Sequence, residues 1–99
     1  MTVRPLRLHE DADFELNDAA DYYVRESPGL GSAFLDEVDR RLDRIRAYPY
    51  ATAEVARGIR KSVLARYSYT LVYEVRDDAI RILAIAHQRK RPYYWRGRA

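Results

Sequence analysis

The feature that most constrains this chain is a change of hydrophobic period near its midpoint. Apolar side chains recur every three to four positions between residues 12 and 47, and every second position or on both parities between 59 and 87. A helical period in front and a strand period behind predict a segregated α+β fold, with helices on one side of an antiparallel sheet. In the first half, Ala12, Leu16, Ala19 and Tyr23 share one face of a helix over about 11–25. Leu30, Phe34, Val38, Leu42 and Ile45 share a face of a second helix that runs to about Ala47. Ser27-Pro28 is a start signal for it, a hydroxyl at the N-cap and proline at the first helical position. Pro49 ends it by forcing Tyr48 out of the helical region. So short a connection predicts an antiparallel helical hairpin.

Ahead of the hairpin, Val3, Leu6 and Leu8 with Arg4 and Arg7 between them read as a short strand, which Pro5 confines to an edge. Behind it, residues 59–65, 69–76 and 79–87 read as three strands. Tyr69, Leu71, Tyr73 and Val75 line one face of the second, and Thr70, Val72 and Glu74 the other. Asp77-Asp78 supplies turn chemistry. The last strand is apolar on both faces apart from Arg81, as a central strand is. The order is β-α-α-β-β-β, a helical hairpin packed on one face of a small, largely antiparallel sheet, forming a single domain over 1–99. No further helix remains for the other face, which is expected to stay partly open.

Several function classes are excluded. The chain has no cysteine, so it has neither disulfides nor zinc–thiolate clusters. It shows no His pair at metal-ligand spacing, no glycine-rich phosphate loop, and no Ser or Cys nucleophile in a recognisable setting. Neither a metal nor a cofactor is expected. No apolar run approaches the roughly 20 residues of a membrane span, and no signal peptide opens the chain. The expectation is a complete, soluble, cytoplasmic protein that does not engage membranes.

Charge is distributed unevenly. Residues 1–50 hold seven Lys or Arg against eleven Asp or Glu, whereas residues 51–99 hold eleven against four. From Gln88 onward stand Arg89, Lys90, Arg91, Arg96 and Arg98 with no acid. A cationic rear half suggests a side that seeks phosphate or carboxylate. Arginine supplies 16 of the 18 cations, which suits bidentate phosphate recognition and is equally the mark of a GC-rich genome.

The chemistry therefore concentrates at the sheet's exit. His87 shares strand parity with Arg81, Leu83 and Ile85 and is the one group there that ordinarily titrates near neutrality. Beside arginines it could move a proton while the cations neutralise a phosphate; the plainer reading is a strand-end histidine bonded to the backbone. Tyr93, Tyr94 and Trp95 among arginines form the mixture that stacks bases and grips backbones. Alternatively Trp95 and one tyrosine fold back as a core lid and leave the guanidiniums solvated. Arg57, Arg60, Lys61 and Arg66 flank the strand at 59–65; Arg60 and Lys61 face opposite sides, so only one joins His87 on a face. Phe14 lies off the first helix's inner stripe and is free to pack elsewhere or to await a partner. The acids at 10–21 read as helix-start electrostatics.

Four stretches carry a family resemblance: Ala12 to Tyr22-Tyr23; Phe34 to Pro49; Gly58-Ile59-Arg60 leading to Tyr69-Thr70-Leu71-Val72-Tyr73-Glu74-Val75; and Ile80 through His87-Gln88-Arg89 to Pro92-Tyr93-Tyr94-Trp95. In order, spacing and total length the chain resembles the RelE/ParE superfamily of small bacterial toxins from type II toxin–antitoxin modules. The resemblance implies a growth inhibitor neutralised by a cognate antitoxin. RelE-like members cut mRNA on the ribosome; ParE-like members inhibit DNA gyrase and are not nucleases.

The nuclease branch places an arginine just before the Leu-Val-Tyr of the middle strand, where this chain has Thr70. It uses lysines on the preceding strand, which Lys61 matches, with Val63 in place of a second. A basic residue after the last strand is present as Arg89, and a tail aromatic as Tyr94 or Trp95. If the chain is a nuclease, the resemblance makes His87, Arg89, Arg60 and Tyr94 its catalytic candidates. Lys61, Arg66, Arg81, Lys90, Arg91, Trp95 and Arg96 are candidates for holding nucleic acid or another target. The His-Gln-Arg ending resembles the ParE-like branch, which gives gyrase inhibition as the first reading, ribosome-dependent mRNA cleavage as the alternative and a non-toxic interaction domain as the third. Phe14 and Tyr22 are candidate anchors for the antitoxin. Homodimers or toxin–antitoxin hetero-oligomers are expected, because an open sheet edge invites pairing.

Overall fold

The computed structural model describes residues 3–99. Its framework is a pair of long antiparallel strands, β4 (Tyr69–Val75) and β5 (Ile80–His87), joined through the Asp77-Asp78 turn. Around them the five-stranded sheet has the order β1-β5-β4-β3-β2, with β1 at Leu6–Leu8, β2 at Glu54–Ala56 and β3 at Ile59–Val63. All neighbours are antiparallel except β1 and β5, which run parallel. The expected arrangement of a helical hairpin on an antiparallel sheet is observed. The sequence reading did not include β2, whose three residues form one short edge against Ile59 and Arg60.

Helix α1 (Glu10–Glu26) opens on His9, whose Nδ1 accepts the Asp11 N–H at 3.1 Å. Glu10, Asp11 and Asp13 in the first turn and Arg25 in the last complement the helix dipole. Helix α2 (Pro28–Ala47) begins after a single linking residue. Ser27 serves both helices through its backbone, donating its N–H to Tyr23 and accepting from Leu30 and Gly31. Its hydroxyl, expected to cap, makes no capping bond. The helices close tightly at Gly31, where a Cβ would stand 2.2 Å from Val24 Cγ2 and 3.1 Å from its backbone nitrogen.

The hairpin lays Ala12, Ala19, Phe34, Val38 and Ile45 onto Leu71, Tyr73, Ile80, Ile82 and Ile85, the helix-side core. Tyr73 is wholly buried, and its hydroxyl donates to the Pro49 carbonyl at 2.9 Å while meeting Thr52 Oγ1 at 2.7 Å. That pair of bonds fastens the α2–β2 loop to the sheet.

The opposite face is covered in part by the chain's own tail: Ile59, Val72, Leu83 and Ala84 lie under Trp95, which is 2% exposed, with Tyr94 beside it, while Lys61 and Val63 stay exposed. After β5 the chain reverses through tight turns, Lys90 N–H to His87 and Tyr94 N–H to Arg91, ending in a 3₁₀ turn at Arg96–Arg98. Tyr93 takes φ of 60°, the left-handed region that costs a non-glycine residue about 1–2 kcal/mol. Burial of the indole offsets that strain.

Candidate functional site

A β-bulge decides which side chains meet at the sheet's exit. Val72 pairs with Ala84, but Tyr73 pairs with Ile82, so Leu83 is an extra residue on β5. Leu83 and Ala84 both pack on the Trp95 face, and the parity of everything beyond them is reversed. His87 accordingly lies opposite Tyr69 on the helix face with Ile85, not with Arg81 and Leu83 as strict alternation predicts. Its ring meets Tyr69 edge-on, 5.0 Å between centres, and its Nδ1 accepts the Arg89 N–H at 3.0 Å. It borders a recess of ≈ 220 Å³ closed by Phe14, Glu15 and Asp18 of α1 and by Lys90 and Arg98 of the tail.

The second recess, ≈ 170 Å³, opens on the Trp95 face. Thr70, Val72 and Ala86 form its floor, Tyr93 and Trp95 a wall, and Lys61, Lys90 and Arg91 its cationic rim, with His87 and Tyr94 also at its border. No carboxylate lines it. Of the tail cations, Lys90 and Arg91 come together with Lys61 around aromatic walls. Such a site can hold an anionic group, or an acidic side chain, against a ring.

The remaining candidates are placed elsewhere. Arg60 shares the helix face with His87 but pairs with Tyr73, four residues along β4 from Tyr69 and so about 13 Å away along the strand. It donates to the Thr52 carbonyl and pairs with Glu54 at 3.7 Å. Arg89 is exposed and lines neither recess. Arg66 is exposed on the β3–β4 loop. Arg81 turns to Glu74 at 3.4 Å and donates to the Arg98 carbonyl. Arg96 lies over the Tyr93 ring at 5.2 Å. Phe14 is 71% exposed and Tyr22 52%, and with Asp18 they mark one stripe of α1 at four-residue spacing.

A third arrangement was not read from the sequence. β1 reaches only as far as Ile82, so the rest of the β5 edge lacks a partner strand. Glu15 and Arg98 supply one: Glu15 Oε1 accepts the Ile85 N–H at 3.1 Å, and Arg98 Nη1 donates to the Leu83 carbonyl at 3.0 Å. The two side chains form a fork, 2.8 and 3.0 Å, and the Tyr94 hydroxyl donates to Glu15 Oε2 at 2.8 Å. Burial, then the hydrogen bond to Glu15, pushes the Tyr94 phenol above its ordinary range, and the same carboxylate raises Arg98. The acids of α1 gave no signal that one of them caps a strand edge.

The described residues contain no group of three or more acidic, His or Cys side chains able to hold a metal, and no helix is long and apolar enough to cross a membrane. Residues 6–92 match the family model of the ParE toxin of the type II toxin–antitoxin system, parDE. The chain belongs to the ParE toxin family. It is 31% identical over 94 residues to Toxin ParE2 of Mycobacterium tuberculosis, in strains CDC 1551 and H37Rv alike, covering 91% of this chain and 87% of theirs. The fold matches a chain of the chromosomal ParDE system from P. aeruginosa with a TM-score of 0.74 at 19% identity, over 86% of this chain and 96% of that one. As a ParE-family member it is the toxin of a type II toxin–antitoxin system, and membership implies a cognate antitoxin.

Proposed function

We propose that this ParE-family toxin arrests growth in the cytoplasm by binding DNA gyrase without cutting nucleic acid, and that its antitoxin neutralises it through the α1 stripe of Phe14 and Tyr22. One observation carries the reading: the tail's cations gather around an aromatic recess whose two proton-transfer candidates, His87 and Tyr94, are engaged by other partners. His87 projects to the other face, Arg60 is engaged at the far end of the sheet, and the Tyr94 proton is committed to Glu15. Cleavage by a ribose 2′-hydroxyl needs donors aimed at the developing phosphate charge, and losing one costs on the order of 10²–10³ in rate. Thr70 occupies the recess floor where the nuclease branch has arginine. Lys61, Lys90 and Arg91, with Arg96 and Arg66 further out, suit an acidic surface of a protein target.

The experiment is a supercoiling assay with purified gyrase and saturating toxin, alongside primer extension on transcripts from induced cells. Inhibited supercoiling with intact mRNA is expected. Normal supercoiling with cleavages inside reading frames would replace this reading with the ribosome-dependent nuclease, and neither effect, with no growth arrest, would leave a bare interaction domain.

A further inference from the structure

At the other end of the sheet, where α2 gives way to β2, stands a second cationic patch that shares no residue with the tail recess. A recess of ≈ 240 Å³ opens there between Arg41, Arg44 and Tyr48 on one side and Thr52 and Ser62 on the other. Arg41 Nη1 donates to the buried Ser62 hydroxyl at 3.2 Å, which fixes that guanidinium on the recess lining. The adjoining Tyr50 ring has Arg4 and Arg60 5.7 and 5.2 Å from its centre, and Arg46 Nε donates to the Arg4 carbonyl. Tyr48 and Tyr50 are 68% and 60% exposed.

Five guanidiniums thus surround one loop, and within 4 Å of them the described residues bring a single carboxylate, Glu54 on Arg60. Arg4 Nε is buried without a hydrogen-bond partner. Like charges gathered around one loop with so few carboxylates repel one another. The arrangement is relieved by an anion with many acceptor oxygens. Every cation in the patch is arginine, whose planar fork matches phosphate oxygens two at a time.

We propose that this α2–β2 patch, centred on Arg41, Arg44 and Arg46, is a phosphodiester-binding site by which the toxin holds the backbone of double-stranded DNA without reading its sequence. The site is independent of the gyrase reading, because neither the tail recess nor the Phe14 stripe contributes to it.

The test is fluorescence anisotropy of the purified full-length chain with a labelled 20-base-pair duplex of arbitrary sequence, titrated between 50 and 200 mM salt. Inorganic phosphate and poly-glutamate serve as competing probes. Each phosphate contact contributes about 0.9 to the slope of log K against log salt. The pair Arg44→Ala and Arg46→Ala should lower the slope by about 2 and the affinity at 0.1 M salt by roughly 60-fold. Both side chains are exposed, so the melting temperature should hold. Arg44→Lys with Arg46→Lys should keep the slope while weakening binding, since the charge stays and the fork is lost. Undiminished duplex binding by the double alanine variant overturns the proposal. So does an equal loss in a Lys90→Ala and Arg91→Ala chain, which places DNA on the tail face, and so does capture of poly-glutamate with no duplex binding, which makes the patch an acidic-peptide site. Gyrase inhibition is not read in this assay, so its outcome and that of the supercoiling experiment are separable.

Discussion

Replacing Arg98 by methionine should release the tail. Methionine keeps the apolar stem and removes the fork to Glu15, the donor to Leu83 and the contact to Asp11 at 3.6 Å. The Arg98 and Glu15 side chains are 15% and 17% exposed, between the surface and interior regimes. Exposed pairs contribute at most about 1 kcal/mol, and breaking a buried one costs about 3–5 kcal/mol. A pair between these two regimes gives an expected loss of about 2–3 kcal/mol. In a domain of this size 1 kcal/mol shifts the melting temperature by roughly 4–8 °C, so the variant should melt roughly 10–20 °C lower.

The same experiment has a local reporter, because Trp95 is the only tryptophan. Its indole is buried beneath the tail that Arg98 secures, so its emission should shift to the red and acrylamide should quench it more readily, even below the melting transition. Glu15→Leu with Arg98→Met should cost less than the sum of the single changes, since each alone already breaks the fork. A variant melting within about 2 °C of the parent with unchanged Trp95 quenching, or strictly additive losses, would refute the edge-capping role.

Three further outcomes follow from the same geometry. Burial raises the Tyr94, Tyr69 and Tyr23 phenols above their ordinary value of 10.0, so above that pH the unfolded chain loses protons the folded chain keeps; stability should fall as pH rises above 10, more gently in Tyr94→Phe, as read by urea unfolding against pH. Gly31→Ala should cost about 1–3 kcal/mol by driving a methyl into Val24, with partial recovery in Gly31→Ala/Val24→Ala, checked by thermal denaturation. Phe14→Ala should leave the melting temperature unchanged and weaken antitoxin binding by about 30-fold or more in calorimetry, the mark of a loss of about 2 kcal/mol at a buried anchor; unaltered affinity removes Phe14 from the interface.

What was legible in the sequence is what depends on period. Ala12, Ala19, Phe34, Val38 and Ile45 repeat at helical spacing and all reach the core, and Leu71 and Tyr73 share the buried face that alternation assigns them. Leu30 belongs to the same stripe but lies at the hairpin tip, where no sheet reaches it, and stays 38% exposed. β2 was illegible because three residues carry no period. Glu15 looked like one of several wet acids, and its partner Arg98 lies 83 positions away, a pairing that only the fold brings about. Arg60 and His87 do share a face, but whether they meet depends on register, which strand pattern alone does not contain.

The bulge at Leu83 shows how much one residue of register can decide. Both Leu83 and Ala84 are apolar in a strand apolar on both faces, so nothing in the sequence marks the extra residue. Without it, strict alternation would turn the His87 side chain onto the Trp95 face and into the anion-binding recess that it now only borders, the minimum a phosphoryl-cleaving site requires. With it, the imidazole packs against Tyr69 beneath α1, its Nδ1 engaged by the Arg89 amide. The recess keeps its cations and its rings, and the imidazole at its border is held by Tyr69 and the Arg89 amide. The same insertion turns the Leu83 carbonyl and the Ile85 amide toward the unpartnered edge, where Arg98 and Glu15 meet them. One local distortion thus favours a surface that binds over one that transfers protons, and supplies the anchorage for the tail that builds it.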